Sequence, residues 1–132
     1  MALTEADALT MLEQRFTAFR DEAPNIHGAL LATADGHPIL SSLTEVDAAA
    51  TAAMVAATIG IGSRLAGVLG SNELEEVSVR TPNGYLAIFD AGEATVLTVL
   101  TGPQANLARI NSFAKLHLDL LREVAIEMKA GA

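Results

Sequence analysis

The stretch from Val46 to Gly70 constrains this chain more than any other. Only Asp47 and Arg64 are charged within it, and Ala, Thr, Val, Ile, Leu, Met and Gly fill most of the rest. Asp47 suits an N-cap and Gly70 a C-terminal stop, so the sequence predicts a helix from about Asp47 to Leu69. At 3.6 residues per turn, Val55, Ile59, Gly62 and Ala66 form one stripe. Met54, Ile61 and Val68 form a second, with Thr58, Leu65 and Leu69 between the two. The apolar arc spans roughly 180°, whereas one packing surface needs a stripe of about 100° or somewhat more. Either the first or last helix of the same chain covers the surplus, or Met54, Ile61, Leu65 and Val68 meet a copy of themselves across a two-fold axis, because large exposed apolar patches mark interfaces.

The rest of the chain reads as a sheet with further helices. Thr4 and Asp7 resemble a capping box, and Leu9, Leu12, Phe16 and Phe19 then recur on one helical face until Pro24-Asn25. Apolar runs from His27 to Ala34 and from His37 to Ser42 flank Asp35-Gly36, a pair suited to a two-residue type I′ hairpin turn. Pro38 cannot donate to a ladder, which puts the second strand at a sheet edge or starts it there. Three more strands are expected at Leu74–Thr81, Tyr85–Ala91 and Ala94–Thr101, separated by Pro82-Asn83-Gly84 and Gly92-Glu93. In the first of these, Val77 and Val79 alternate with Ser78 and Arg80. Its Glu75, Glu76 and Arg80 either guard an exposed edge or leave the strand to pair with its own symmetry mate. A last helix starts near Gly102-Pro103, with Leu107, Ile110, Ala114, Leu118, Leu121, Ala125 and Met128 as its stripe. Short connections between strands imply a mostly antiparallel sheet of five strands, in a single α+β domain over residues 1–132 with element order α-β-β-α-β-β-β-α.

Composition narrows the function. Sixteen acidic side chains against eight basic ones give a formal charge of −8, which disfavours nucleic acid and anionic membranes. The longest uncharged stretch, Ala48 to Ser63, is 16 residues, short of the roughly 20 apolar residues a span needs. The N-terminus lacks the basic and apolar regions of a signal peptide, and the chain has no cysteine. A soluble cytoplasmic protein is expected.

Candidate chemistry is sparse. His27, His37 and His117 show no paired metal-ligand spacing, so neither a metal nor another cofactor is expected. Gly60, Gly62 and Gly67 lie inside a predicted helix without the Lys-Ser or Lys-Thr of a phosphate loop, and close packing explains them better. Ser41-Ser42 lacks a nucleophile elbow, and Glu73, Glu75 and Glu76 read as solvated charges. No catalytic set emerges, and the expected protein is not an enzyme.

Several segments resemble bacterial members of the roadblock (LC7) family: GALLATADGHPI from Gly28 to Ile39, IGSRLA from Ile61 to Ala66, VRTPNGY from Val79 to Tyr85, and Asn106-Leu107 at the start of the last helix. The resemblance covers essentially the whole chain. It implies a sheet with one helix on one face and two on the other. It also implies a dimer in which second helices pair and third strands join two sheets, and a role as a platform for Ras-like GTPases. By position it places Met54, Ile61, Arg64, Leu65 and Val68 at the dimer helix and Val77, Val79 and Arg80 on the pairing strand. Arg64, which points away from the arc, either touches the partner or is simply solvated. The alternatives are a small-molecule-sensing α+β domain and a structural subunit of a larger complex.

Overall fold

Asp47 begins the helix that matters most, as its chemistry predicts. In the computed structural model, which describes residues 5–22, 26–92, 94–106, 108–112 and 114–115, the elements in chain order are α1 (Glu5–Glu22), β1 (Ile26–Thr33), β2 (Pro38–Ser41), α2 (Ala48–Val68), β3 (Glu76–Thr81), β4 (Gly84–Gly92) and β5 (Thr95–Thr101). Residues 108–112 and 114–115 are helical again. The Asp47 carboxylate accepts hydrogen bonds from the backbone N–H of Ala49 at 2.9 Å and Ala50 at 3.2 Å, satisfying two donors that the first turn leaves free. At the other end Ser71 N–H bonds Ala66 C=O at 3.1 Å and Gly70 N–H bonds Gly67 C=O at 3.0 Å. This is a Schellman closure, and Gly70 takes the required positive φ of 78°.

The strands form one five-stranded sheet in the order β2-β1-β5-β4-β3, antiparallel at every pairing. β2 and β3 are therefore the edges, and β2 opens with Pro38, which needs no ladder donor there. Ser42 extends the β1–β2 pairing beyond the strand, its Oγ accepting from Ala29 N–H at 2.9 Å. The hydroxyl is thus held by backbone pairing.

Both faces of the sheet are covered, which is why β1 and β5 read as nearly continuous apolar runs. On one face Phe16 and Phe19 of α1 and Ile110 and Ala114 of the last helical residues close over Ala29, Leu31, Tyr85, Ala87, Phe89, Leu97 and Val99. On the other, Ala52 and Val55 of α2 close over Leu30, Ala32, Ile88 and Val96, with Val77 and Leu86 at the margin. The domain is α+β; among the described residues α2 alone lies on one face, and α1 with the last helical residues on the other. The side chains of Leu9 and Leu12, and Thr4, Pro24, Asn25, Leu107, His117, Leu118, Leu121, Ala125 and Met128, lie outside the described residues.

Three local expectations change. The β1–β2 connection is a three-residue loop, Ala34-Asp35-Gly36, because Thr33 N–H bonds His37 C=O at 2.8 Å and Gly36 N–H bonds Thr33 C=O at 3.1 Å. Only Gly36 takes a positive φ, 102°, so this is a turn followed by a left-handed glycine and not the two-residue type I′ form. β3 starts at Glu76 and not at Leu74, whose side chain instead lies under α2, where it would crowd a Cβ at Gly62. Close packing within the chain explains Gly62 alone; a Cβ at Gly60 or Gly67 would meet nothing within 4 Å.

Candidate interaction surface

α2 rests on the sheet through Thr51, Ala52, Val55, Gly62 and Ala66. The same helix turns Met54 (63 % exposed), Ile61 (63 %), Leu65 (61 %) and Val68 (82 %) to solvent, with Leu69 just past its end. Four large apolar side chains left open on one helix are more than a lone solvated domain requires. Covering by α1 or the last helix does not occur among the described residues, since Phe16, Phe19, Ile110 and Ala114 all belong to the opposite face. α2 is also long and apolar enough, by length and composition, to cross a membrane. Its seating on the sheet gives it the role of a core helix with a second, open side.

That open side runs down to the β3 edge. Gly62 permits the approach: a Cβ there would come within 2.9 Å of Leu74 Cδ2 and 3.1 Å of Val77 Cγ2. The result is a groove of about 680 Å³ between helix and strand, lined by Thr58, Ile61, Leu65, Leu69, Leu74 and Val77 among others. Of the residues singled out in the sequence, the groove brings Ile61, Leu65 and Val77 together. Met54, Val68 and Val79 flank it as exposed apolar groups, and Arg64 and Arg80 are exposed and form no salt bridge among the described residues. Leu69 and Leu74 add to the surface. Leu69 stood within the predicted arc, whereas Leu74 was hidden by its reading as a strand residue.

The outer face of β3 is polar. Glu76 and Arg80 lie on the side away from α2, near Tyr85, which pairs directly with Arg80. Burial raises the Tyr85 hydroxyl above its ordinary range, the Glu76 carboxylate adds to the rise, and the Arg80 charge opposes it. Tyr85 donates to Asn111 Oδ1 at 3.5 Å.

Elsewhere the polar groups do not converge. Among the described residues no three histidine or acidic side chains stand where they would share a metal ion. His27 lies over Gly102, where a Cβ would come within 2.8 Å of its ring. His37 sits 3.9 Å from Asp35 at the exposed hairpin tip. Hydrogen bonding from Thr33, with help from the His37 charge, holds the Asp35 carboxyl below its ordinary value. A hollow of about 770 Å³ beside the β4–β5 turn is lined by Glu73, Glu75, Asp90 and Lys115, all of them exposed. It lacks the buried, convergent polar groups of a small-molecule site.

Fold and surface together define an α+β domain that leaves one helix face and one sheet edge open on the same side. Residues 13–101 match the Roadblock/LC7 domain, and the chain belongs to that family. Its fold is similar to gliding protein MglB from Thermus thermophilus, with a TM-score of 0.82 at 19% identity, covering 91% of this chain and 92% of that one. Myxococcus xanthus MglB gives 0.84 at 20% identity, covering 91% of each. An MglB in a tetrameric arrangement gives 0.77 at 21% identity, covering 92% of this chain and 89% of that one. No curated protein matches.

Proposed function

We propose that this chain is a non-enzymatic, homodimeric module of the cytoplasm that binds and regulates a Ras-like small GTPase. The observation that carries the dimer is the open face of α2, where Met54, Ile61, Leu65 and Val68 remain exposed beside the unpaired β3 edge. Burying such side chains contributes about 1.5–3 kcal/mol each when complete, which favours association of two copies. Family membership and the MglB-like fold support the partner class, since a platform for Ras-like GTPases is what the roadblock resemblance implies. The regulation needs no catalytic residues of the module's own, since a dimer that docks on a GTPase acts by favouring one of its conformations.

Two measurements test the reading. Light scattering is expected to give twice the 13.7 kDa chain mass for the wild type and the monomer mass for Ile61→Glu. Calorimetric titration with a candidate Ras-like GTPase is expected to show binding that differs between its GDP and GTP forms. Equal affinity for both would reduce the role to a scaffold, and no affinity for either would remove the GTPase from the proposal.

A further inference from the structure

Asn83-Gly84 is the one asparagine–glycine pair in the chain, and the fold sets it at the tip of the β3–β4 hairpin. Asparagine is a thermolabile residue, because the next main-chain nitrogen can attack its side-chain amide. We propose that Asn83 is a site of spontaneous deamidation, and that the altered turn loosens β3 from β4. Neither the dimer nor the GTPase is needed for it.

The fold requires glycine after Asn83. Gly84 has a φ of 140°, which residues with a side chain rarely adopt, and a Cβ there would run into the Thr101 C=O of β5. With no Cβ of its own, Gly84 brings its nitrogen to the attack unhindered. The target is open too. Asn83 is exposed, and its side-chain amide forms no hydrogen bond among the described residues. Thr81 and Gly84 are the last pair of the β3–β4 ladder. Because β3 is an edge strand, that pair can open without parting any other strand, and such local openings need much less than the global stability. Opening breaks the two bonds of the Thr81 hydroxyl, which donates to Gly84 C=O at 3.1 Å and accepts from Asn83 N–H at 3.2 Å.

The reaction needs only water and hydroxide. The Gly84 nitrogen gives its proton to hydroxide and bonds to the side-chain carbonyl carbon of Asn83. Ammonia leaves, and a five-membered imide remains. Water then opens the ring. Opening at the side-chain carbonyl gives aspartate, and opening at the main-chain carbonyl gives isoaspartate, whose main chain runs through one extra carbon. Either product adds a negative charge beside the edge strand. The isoaspartate also lengthens a two-residue loop, and loop length selects the turn that a hairpin can close. Thr81 and Gly84 then no longer face each other at ladder spacing.

The other asparagines lack this combination. They precede Ile26, Glu73, Leu107 and Ser112, whose side chains crowd the attack. Asn72 is also exposed, but the Glu73 N–H that would attack it donates to Ser71 Oγ at 3.1 Å. The side-chain oxygens of Asn106 and Asn111 accept from Arg109 N–H at 3.1 Å and from the Tyr85 hydroxyl at 3.5 Å. The related Asp35-Gly36 pair is guarded twice. Gly36 N–H bonds Thr33 C=O at 3.1 Å, and hydrogen bonding from Thr33 holds the Asp35 carboxyl below its ordinary value, hence ionised and a poor target.

The test is to incubate the wild type at neutral and mildly alkaline pH and digest it with trypsin, which frees one peptide from Thr81 to Arg109. Fragmentation mass spectrometry is expected to find a gain of one mass unit at Asn83, faster as the pH rises, while Asn72 and Asn106 stay unchanged. Isoaspartate is expected among the products, read by enzymatic methyl transfer to its carboxylate. The incubated wild type is expected to melt a few degrees below the fresh protein. Asn83→Gln, which would have to close a six-membered ring, is expected to show neither the gain nor the fall in melting temperature. Should Asn83→Gln not fold by circular dichroism, fresh wild type serves as the reference. An Asn83 unchanged for several times the period in which the isolated Thr81–Arg109 peptide converts fully overturns the site, as does an Asn72 that converts as fast. A converted protein that melts no lower than the reference overturns the loosening of β3.

Discussion

Among the described residues, Thr98 is the side chain that the fold leaves least satisfied. It sits at the middle of the sheet, fully buried on the α2 face between Leu30 and Ile88, and its hydroxyl has no hydrogen-bond partner among the described residues. An unpaired buried hydroxyl costs about 1–3 kcal/mol, whereas an apolar group of the same shape does not carry that penalty. Thr98→Val is therefore expected to raise stability by about 1 kcal/mol in urea unfolding, with an unchanged denaturant slope. Gly62 shows the opposite tension. The helix accepts the propensity loss of a glycine there because Leu74 and Val77 occupy the space a side chain would need. Gly62→Leu forces that contact apart and is expected to lower stability by about 1–3 kcal/mol in the same assay.

At the scale of elements, α2 was legible because both of its ends are fixed by local side-chain chemistry. The Asp47 carboxylate and the left-handed Gly70 act within a few residues of themselves, so no tertiary knowledge is needed to place them. Asp47→Ala removes two hydrogen bonds to the first turn and is expected to cost about 1 kcal/mol, read as a lower melting temperature. The β1–β2 turn was not legible. Asp35-Gly36 suits either a two-residue or a three-residue loop, and the Thr33–His37 pairing settles the choice. Ala34 N–H also bonds Ala94 C=O at 2.8 Å, from the turn after β4, a contact between residues sixty positions apart. The placement of β1 beside β5 is non-local in the same way. Width of the apolar arc announced that α2 carries apolar residues beyond those that pack on the sheet, yet it did not say which helices lie elsewhere. That followed only from Phe16, Phe19, Ile110 and Ala114 closing the other side of the sheet.

For the whole molecule, the proposed interface on the open face would couple folding to association. A chain that exposes Met54, Ile61, Leu65 and Val68 as a monomer and buries them as a dimer gains stability by mass action, because the partner binds only the folded form. Each tenfold rise in concentration then adds about 1.4 kcal/mol per mole of dimer. The melting temperature of the wild type is accordingly expected to climb by a few degrees between micromolar and hundred-micromolar chain. Ile61→Glu places a charge in the proposed interface that would have to be desolvated, so its melting temperature is expected to be lower and independent of concentration. The glutamate is on an exposed face, where it leaves the core packing of Val55 and Ala66 untouched. At the lowest concentrations the two proteins should therefore melt within about 0.5 kcal/mol of each other, as expected for a surface substitution. A wild-type melting temperature that does not move with concentration would mean that α2 carries its apolar face without a second copy, and the interface assigned to Met54, Ile61, Leu65 and Val68 would have to be given up.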